Sequence, residues 1–211
     1  MATLVVNCFH WIGFHIVNAF LQENEKVIGY DQIDVESKQF LSMYFGRNDK
    51  FKLIQTIKEE QFENIIIVGE PNIDIRRLKV KNICVIQTEE KQINQLQDVI
   101  NLNIPYLIGE WMPLKKDGIF IDGKLYQYDN ELLSHEAIYM KDVATMLFHW
   151  MKNPLVPATL SIKKGKYSEQ CNKKLENSIF IRDNRPNKES VLTLREHYDR
   201  YSFYYDSLLE E

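Results

Sequence analysis

Glycine is scarce in this sequence. It contributes eight of the 211 residues, and no two glycines lie within four residues of each other. That spacing excludes a glycine-rich phosphate cradle, in which clustered glycines let backbone amides approach an anion. Cysteine is scarcer. Cys8, Cys84 and Cys171 are odd in number, far apart and without a Cys-x-x-Cys pair. A disulfide framework and a cysteine zinc site are therefore not expected. The five histidines, His10, His15, His135, His149 and His197, include no His-x-x-x-His spacing, so no metal site is expected either. There is no Gly-x-Ser-x-Gly elbow and no Gly-Lys-Ser/Thr loop, which removes two common nucleophile and phosphate motifs. No apolar run approaches the roughly 18 residues that span a bilayer. Positive charge is not in excess: 26 Lys and Arg stand against 30 Asp and Glu, a net charge of −4. The electrostatic footprint of non-specific nucleic-acid binding is missing, as is a polybasic membrane surface. The opening MATLVVNCFHWIGFH lacks a basic region and a small-residue cleavage site, so no signal peptide and a cytoplasmic setting are expected.

What is present is a hydrophobic fraction of 45%, enough for one globular domain or one domain with a small lobe. Residues 4–7 (LVVN) form a short apolar run. Residues 10–22 place Ile12, Ile16 and Phe20 at helical spacing, and 26–30 form a second apolar run ending at Asp31. A strand, a helix and a strand within about 30 residues is a βαβ unit. The alternation continues. A short helix is expected over 37–45, a strand over 51–55, a helical turn over 57–62 and a buried strand over 64–69 (NIIIVG). Further strands are expected over 82–87 and 104–108, with a helix over 89–101 between them. Residues 118–127 carry Asp122-Gly123 between alternating residues, a hairpin signal. Asp142 is placed to cap a helix over 143–152. Strands over 158–162 and 178–182 flank an expected helix over 168–176, and a final helix runs from 188 towards 209.

Three segments in order carry a resemblance. The first 34 residues read strand, loop, Ile12-Gly13, helix, then VIGYD. Residues 137–154 (AIYMKDVATMLFHWMKNP) read aliphatic–aromatic strand, then Asp-Val-Ala opening a helix. Residues 104–113 fall where a strand would lead to a substrate loop. Together these resemble the extended short-chain dehydrogenase/reductase family, the NAD-dependent epimerases and dehydratases, in a degenerate and shortened form. The resemblance implies an α/β fold with a Rossmann-like, doubly wound, mostly parallel sheet and a small C-terminal α+β lobe. Its Rossmann-like domain covers 1–115, with a lobe packed on it over 116–211. It implies NAD or NADP as the cofactor, held around His10, Trp11, Ile12, Gly13 and Asp31. An acid at the position of Asp31 binds the adenosine ribose in that family.

The departures from the family pattern are chemical. The family's Thr-Gly-x-x-Gly-x-x-Gly loop is here Asn7-Cys8-Phe9-His10-Trp11-Ile12-Gly13, one residue short and with Gly13 alone retained. Phe9, His10 and Trp11 put bulk where a pyrophosphate would lie. The family's Tyr-x-x-x-Lys pair, whose lysine lowers the tyrosine pKa for acid–base work, is absent: none of the eleven tyrosines has Lys four positions on. Thr88 can stand in for the family's serine, and Tyr106 or Tyr139 beside Lys141 are the candidates for a relocated acid. Residues 70–81 leave space for only a loop or one helical turn where the family has a long helix of its dimer interface.

Two surface features remain. Tyr198, Tyr201, Phe203, Tyr204 and Tyr205 form an aromatic tail, read either as a protein-partner site or as a terminal helix packed on its own domain. Lys163, Lys164 and Lys166 form a basic turn, read as a solvated loop. The expectation is an NAD(P)-binding-fold protein without a catalytic residue set, with no cofactor or one of NAD and NADP, acting through ligand or partner binding. The alternatives are an active NAD(P)-dependent nucleotide-sugar epimerase or reductase with atypical residues, and a structural partner protein.

Overall fold

The structure is a computed structural model that describes residues 2–57, 62–70, 80–88, 99–104, 106–121, 123–152, 159–164, 178–181 and 187–208. The elements run in chain order as β1 (Thr3–Val6), α1 (Trp11–Gln22), β2 (Val27–Tyr30), α2 (Glu36–Phe45), β3 (Phe51–Ile54), β4 (Phe62–Val68), β5 (Val80–Gln87) and β6 (Val99–Asn103). There follow β7 (Leu107–Ile108), β8 (Leu114–Lys115), β9 (Gly118–Ile121), β10 (Lys124–Gln127), α3 (Glu131–Glu136), β11 (Ile138–Tyr139) and α4 (Met140–Met151). The chain ends in β12 (Thr159–Lys164), β13 (Ser178–Ile181), α5 (Asn187–Arg200) and α6 (Ser202–Leu208).

Eight strands make one sheet in the order β13-β12-β6-β5-β4-β1-β2-β3, and each neighbouring pair is parallel. As expected, β1 lies between β2 and β4, with Thr3 opposite both Val27 and Asn64. The chain winds outward on one side through β2 and β3 and on the other through β4, β5 and β6, which is the doubly wound Rossmann order. β12 and β13, from the C-terminal stretch 116–211, extend this sheet at its far edge.

Burial follows from strand geometry, because alternate side chains point to opposite faces. Val5, Ile66, Cys84 and Ile86 face a large core that includes Ile16, Val17 and Phe20 of α1 and Val143 and Leu147 of α4. Leu4, Val6, Ile65, Ile67 and Val85 face the other way into a second core. Apolar residues on both faces explain why 64–68 is a continuous hydrophobic run. The expected hairpin is formed by β9 and β10, with Gly123 at φ 73°. A second small sheet pairs β7 with β11 in parallel.

Several local expectations need correction. Residues 104–108 do not form the sixth strand of the sheet. That place belongs to Val99–Asn103, and Leu107–Ile108 pairs instead with β11. A proline at 105 has no amide hydrogen to extend a ladder. Residues 99–101 are therefore strand, not the end of a helix. Phe62 likewise opens β4 and is not helical. Asp142 does not cap α4: the helix starts at Met140 with Tyr139 at its cap, because β11 feeds straight into it. Asp142 sits in the first turn, where its charge suits the helix dipole. The terminal helix is two, broken at Tyr201, whose N–H meets the carbonyls of both His197 and Tyr198. The expectations for 58–61, 71–79, 89–98, 122, 165–177 and 209 lie outside the described residues. Among the described residues no helix is long and apolar enough to cross a membrane.

Gly13 shows why one glycine of the loop survives. α1 approaches the chain leaving β1 so closely that a Cβ on Gly13 would lie 2.2 Å from the Asn7 carbonyl oxygen. Gly13→Ala is therefore expected to destabilise the fold by about 1–3 kcal/mol. Urea unfolding checks this, and an unchanged midpoint would refute the contact's importance.

Candidate functional site

The loop between β1 and α1 is tied down amide by amide. Asn7, at the end of β1, takes a left-handed conformation with φ 57°, which Asn tolerates better than most residues. Its side-chain amide donates to the Val68 carbonyl at 2.7 Å, joining the ends of β1 and β4. The His10 N–H donates to the Asn7 carbonyl at 3.1 Å. The Phe9 N–H donates to Asp31 Oδ2 at 2.8 Å. His10 then caps α1, its Nδ1 accepting from the Ile12 N–H at 3.3 Å.

Asp31 is the centre of this arrangement. It is buried, and its second oxygen accepts from Lys38 Nζ at 3.0 Å. Lys38 also pairs with Asp34 at 3.3 Å. Burial alone would lower the Lys38 pKa, but Asp31 and Asp34 outweigh it and hold the ammonium above its ordinary value. Phe9 is buried edge-on against Phe51, with ring centroids 6.2 Å apart. Under it, a Cβ on Gly29 would meet Cys8 Sγ at 2.7 Å. The β1–β2 side of the sheet end is thus filled by this chain's own side chains.

The other side is open. A cavity of about 280 Å³ lies at the carboxyl ends of β1, β4 and β5, beside the point where the winding direction reverses. Open α/β sheets place ligands there. Ile12, Val68 and Ile86 supply apolar walls, while Asn7, Gln87 and Thr88 supply amide and hydroxyl groups; His10, Gly69 and Glu70 complete the lining. Of the residues expected to hold a cofactor, His10 and Ile12 reach this cavity. Trp11 instead lies over Gly109, Gly13 packs beneath Asn7, and Asp31 sits on the filled side. Asn7, Gln87 and Glu70 were not singled out from the sequence. Their only signal is position, at the carboxyl ends of strands that must converge at the switch point.

A second polar cluster joins α1 to α4. His15 Nε2 is 3.0 Å from the Glu110 carbonyl oxygen and 3.6 Å from Glu110 Oε2. Lys141 Nζ donates to Glu110 Oε1. Burial would raise the Glu110 pKa, but His15 and Lys141 hold it below the usual carboxylate range. Burial is the largest influence on His15 and pushes it down to about 4, against the opposing pull of Glu110. Lys141 Nζ is 5.8 Å from the centroid of the buried Tyr139 ring. None of Tyr106, Tyr139 and Lys141 lines the cavity.

The aromatic tail packs inward for most of its length. Trp111, held at φ 67°, donates its N–H to Tyr205 Oη at 2.9 Å. Tyr205 Oη is 2.7 Å from His197 Nδ1. Burial pushes the Tyr205 phenol up and the His197 imidazole down to about 4, so both partners of this hydrogen bond are uncharged at neutral pH. The Trp111 ring meets His197, Tyr204 and Tyr201 at 4.4, 4.9 and 5.0 Å. Tyr204 and Tyr205 are buried, whereas Phe203 is 82% exposed.

No family model matches the sequence, and no curated protein matches it. Solved structures do match the fold. A dTDP-glucose 4,6-dehydratase from Bacillus anthracis in complex with NAD gives a TM-score of 0.64 at 10% identity, over 97% of this chain and 98% of that one. The Bordetella bronchiseptica enzyme WbmH in complex with NAD+ gives 0.57 at 10% identity, over 95% and 99%. The yeast methylglyoxal/isovaleraldehyde reductase complexed with NADPH gives 0.51 at 14% identity, over 78% of each chain. The chain therefore has the Rossmann-type fold of these structures.

Two predictions follow from the buried polar groups. Tyr205→Phe keeps the ring but leaves the Trp111 N–H without its acceptor, an expected loss of about 1–3 kcal/mol in urea unfolding; full retention of stability would contradict the latch. Burial pushes both His15 and His197 down to about 4, from an ordinary histidine value of about 6.5. Their contribution to stability is present above pH 6.5 and is lost as the pH falls towards 4, because the unfolded chain takes up the protons first. Thermal melts across that range should fall steadily, and His15→Gln should flatten the slope. An identical profile in the variant would refute the assignment.

Proposed function

We propose that this chain is a non-catalytic Rossmann-fold protein that acts by binding a ligand in the cavity at the ends of β1, β4 and β5. The observation that carries this reading is the bond from the Phe9 N–H to Asp31. A carboxylate at the end of the second strand serves dinucleotide enzymes by taking the ribose hydroxyls. In this chain both of its oxygens are engaged, one by a backbone amide and one by Lys38. Phe9, buried against Phe51, occupies the same side. The adenosine half of a dinucleotide site is closed by these contacts, and what remains is a cavity near the lower end of the small-ligand range of about 300–1,000 Å³.

The chemistry points the same way. The Tyr-x-x-x-Lys pair is absent from the sequence. Tyr139, the best-placed substitute, shares its surroundings with a lysine already paired to Glu110. Loss of general acid–base help costs about 10² to 10⁴ in rate, and loss of cofactor orientation costs more. Among the described residues, the buried free thiols Cys8 and Cys84, whose pKa values burial raises, suit a reducing cytoplasmic setting.

Calorimetric titration with NAD+, NADH, NADP+ and NADPH is the direct test. The expected result is no binding tighter than roughly millimolar. Micromolar affinity would overturn the reading and favour an NAD(P)-dependent epimerase or reductase with atypical residues. In a nicotinamide absorbance assay with nucleotide sugars and small carbonyls, no turnover is expected. Turnover abolished by Tyr139→Phe or Tyr106→Phe would establish an enzyme with a relocated acid.

A further inference from the structure

His10 stands where the loop after β1, the start of α1 and the cavity meet, and its backbone is fixed on both sides. Its N–H donates to the Asn7 carbonyl at 3.1 Å, and its own carbonyl accepts from the Phe14 N–H at 2.8 Å. Its Nδ1 accepts from the Ile12 N–H at 3.3 Å. A ring nitrogen that accepts carries no hydrogen, so the imidazole is the neutral tautomer with its hydrogen on Nε2. The two ring nitrogens diverge, so the bond that turns Nδ1 back to the helix turns the Nε2–H away from it. His10 lines the cavity, and its Nε2–H is a donor that the fold holds ready for an acceptor there. Thr88, just past the end of β5, brings a hydroxyl to the same cavity. Two donors suit an acceptor group with two oxygens. The amides of Phe9, His10 and Ile12 are committed within the chain, so side-chain donors carry the recognition. An anionic acceptor gains from lying at the start of a 12-residue helix, where the dipole is positive. Glu70, the carboxylate of the lining, already has a partner of its own. The rest of the wall calls for an apolar body. Ile12, Val68 and Ile86 line the cavity, and a volume of about 280 Å³ suits a molecule of one ring or one branched chain.

We propose that the cavity binds a small monocarboxylate with an aromatic or branched aliphatic body. The carboxylate is held by the His10 Nε2–H and the Thr88 hydroxyl, and the body lies against Ile12, Val68 and Ile86. The proposal rests on the cavity being the ligand site. One imidazole then serves twice: Nδ1 caps α1, and Nε2 reads the ligand.

The test is protein-observed NMR titration of the full chain with benzoate and isovalerate, each beside its neutral amide, benzamide and isovaleramide. Saturable binding of at least one acid is expected, with its amide at least about tenfold weaker, because a hydrogen bond to a charged acceptor is the stronger one. The imidazole nitrogen shifts of the free chain read the tautomer directly, and a hydrogen on Nδ1 of His10 overturns the assignment. His10→Asn keeps a capping acceptor for the Ile12 N–H but removes the Nε2–H. It should leave the urea midpoint close to that of the wild type and weaken the acid by about tenfold or more. Thr88→Val keeps the shape of the wall and should weaken the acid as well. Acid binding that is unchanged in both variants, or an amide that binds the wild-type chain as tightly as its acid, overturns the proposal and leaves the cavity as the ligand site. Binding by none of the probes overturns the proposal too, and the reading it rests on is then decided by the dinucleotide titration.

Discussion

A buried carboxylate must find donors, because an unpaired charge away from water is costly. Asp31 finds two, the Phe9 N–H and the Lys38 ammonium, and much of the site's form depends on that pair of bonds. They hold the chain leaving β1 against the end of β2, set Phe9 into the core beside Phe51, and leave His10 as the residue that caps α1. Side chains of the chain itself pack this corner.

The consequence is an asymmetric switch point. On the β2 side the space is taken by Phe9, Cys8 and Phe51, packed so closely around Gly29 that a Cβ would collide with two of them. On the β4–β5 side the described residues Ile12, Val68 and Ile86 give a cavity apolar walls, with Asn7, Gln87, Thr88 and Glu70 among its polar lining. The same economy of packing appears beneath the C-terminal helices. Trp111 accepts a left-handed backbone, and its amide and ring are both received by α5 and α6, through Tyr205, His197 and Tyr204. A residue that large at φ 67° persists because its surroundings define it from several sides. The tail of tyrosines is accordingly an inner surface along Tyr204 and Tyr205 and an outer one at Phe203.

Much of the sheet was legible from residues alone. β1, β2, β4 and β5 are apolar runs bounded by polar or turn residues, and a run apolar on both faces has few alternatives to a buried parallel strand. The order of those runs around an intervening helix carried the doubly wound topology, and the solved dehydratase and reductase folds agree with it. The misplaced elements were those whose partners are distant in sequence. Leu107–Ile108 looks like one more strand of the sheet until β11, about 30 residues later, pairs with it. Asp142 looks like a cap until that same strand carries the chain into the helix two residues earlier.

The site divides along the same line. The sequence by itself determined what chemistry is missing: a second and third loop glycine, and a tyrosine with lysine four positions on. Those are local facts, because a tight turn or a helical pair is made within a few residues. It also determined that Phe9, His10 and Trp11 would bring bulk to the loop. Only the tertiary structure decided where that bulk goes, turning Phe9 into the core, His10 towards the cavity and Trp11 over Gly109. It alone decided that Asp31 faces inward to a backbone amide, and that Asn7, Gln87 and Glu70 share one cavity. A carboxylate at a strand end reads the same in sequence whether it awaits a ribose or holds a loop. Which donor reaches it first is set by the packing of elements that meet only after the sheet has formed.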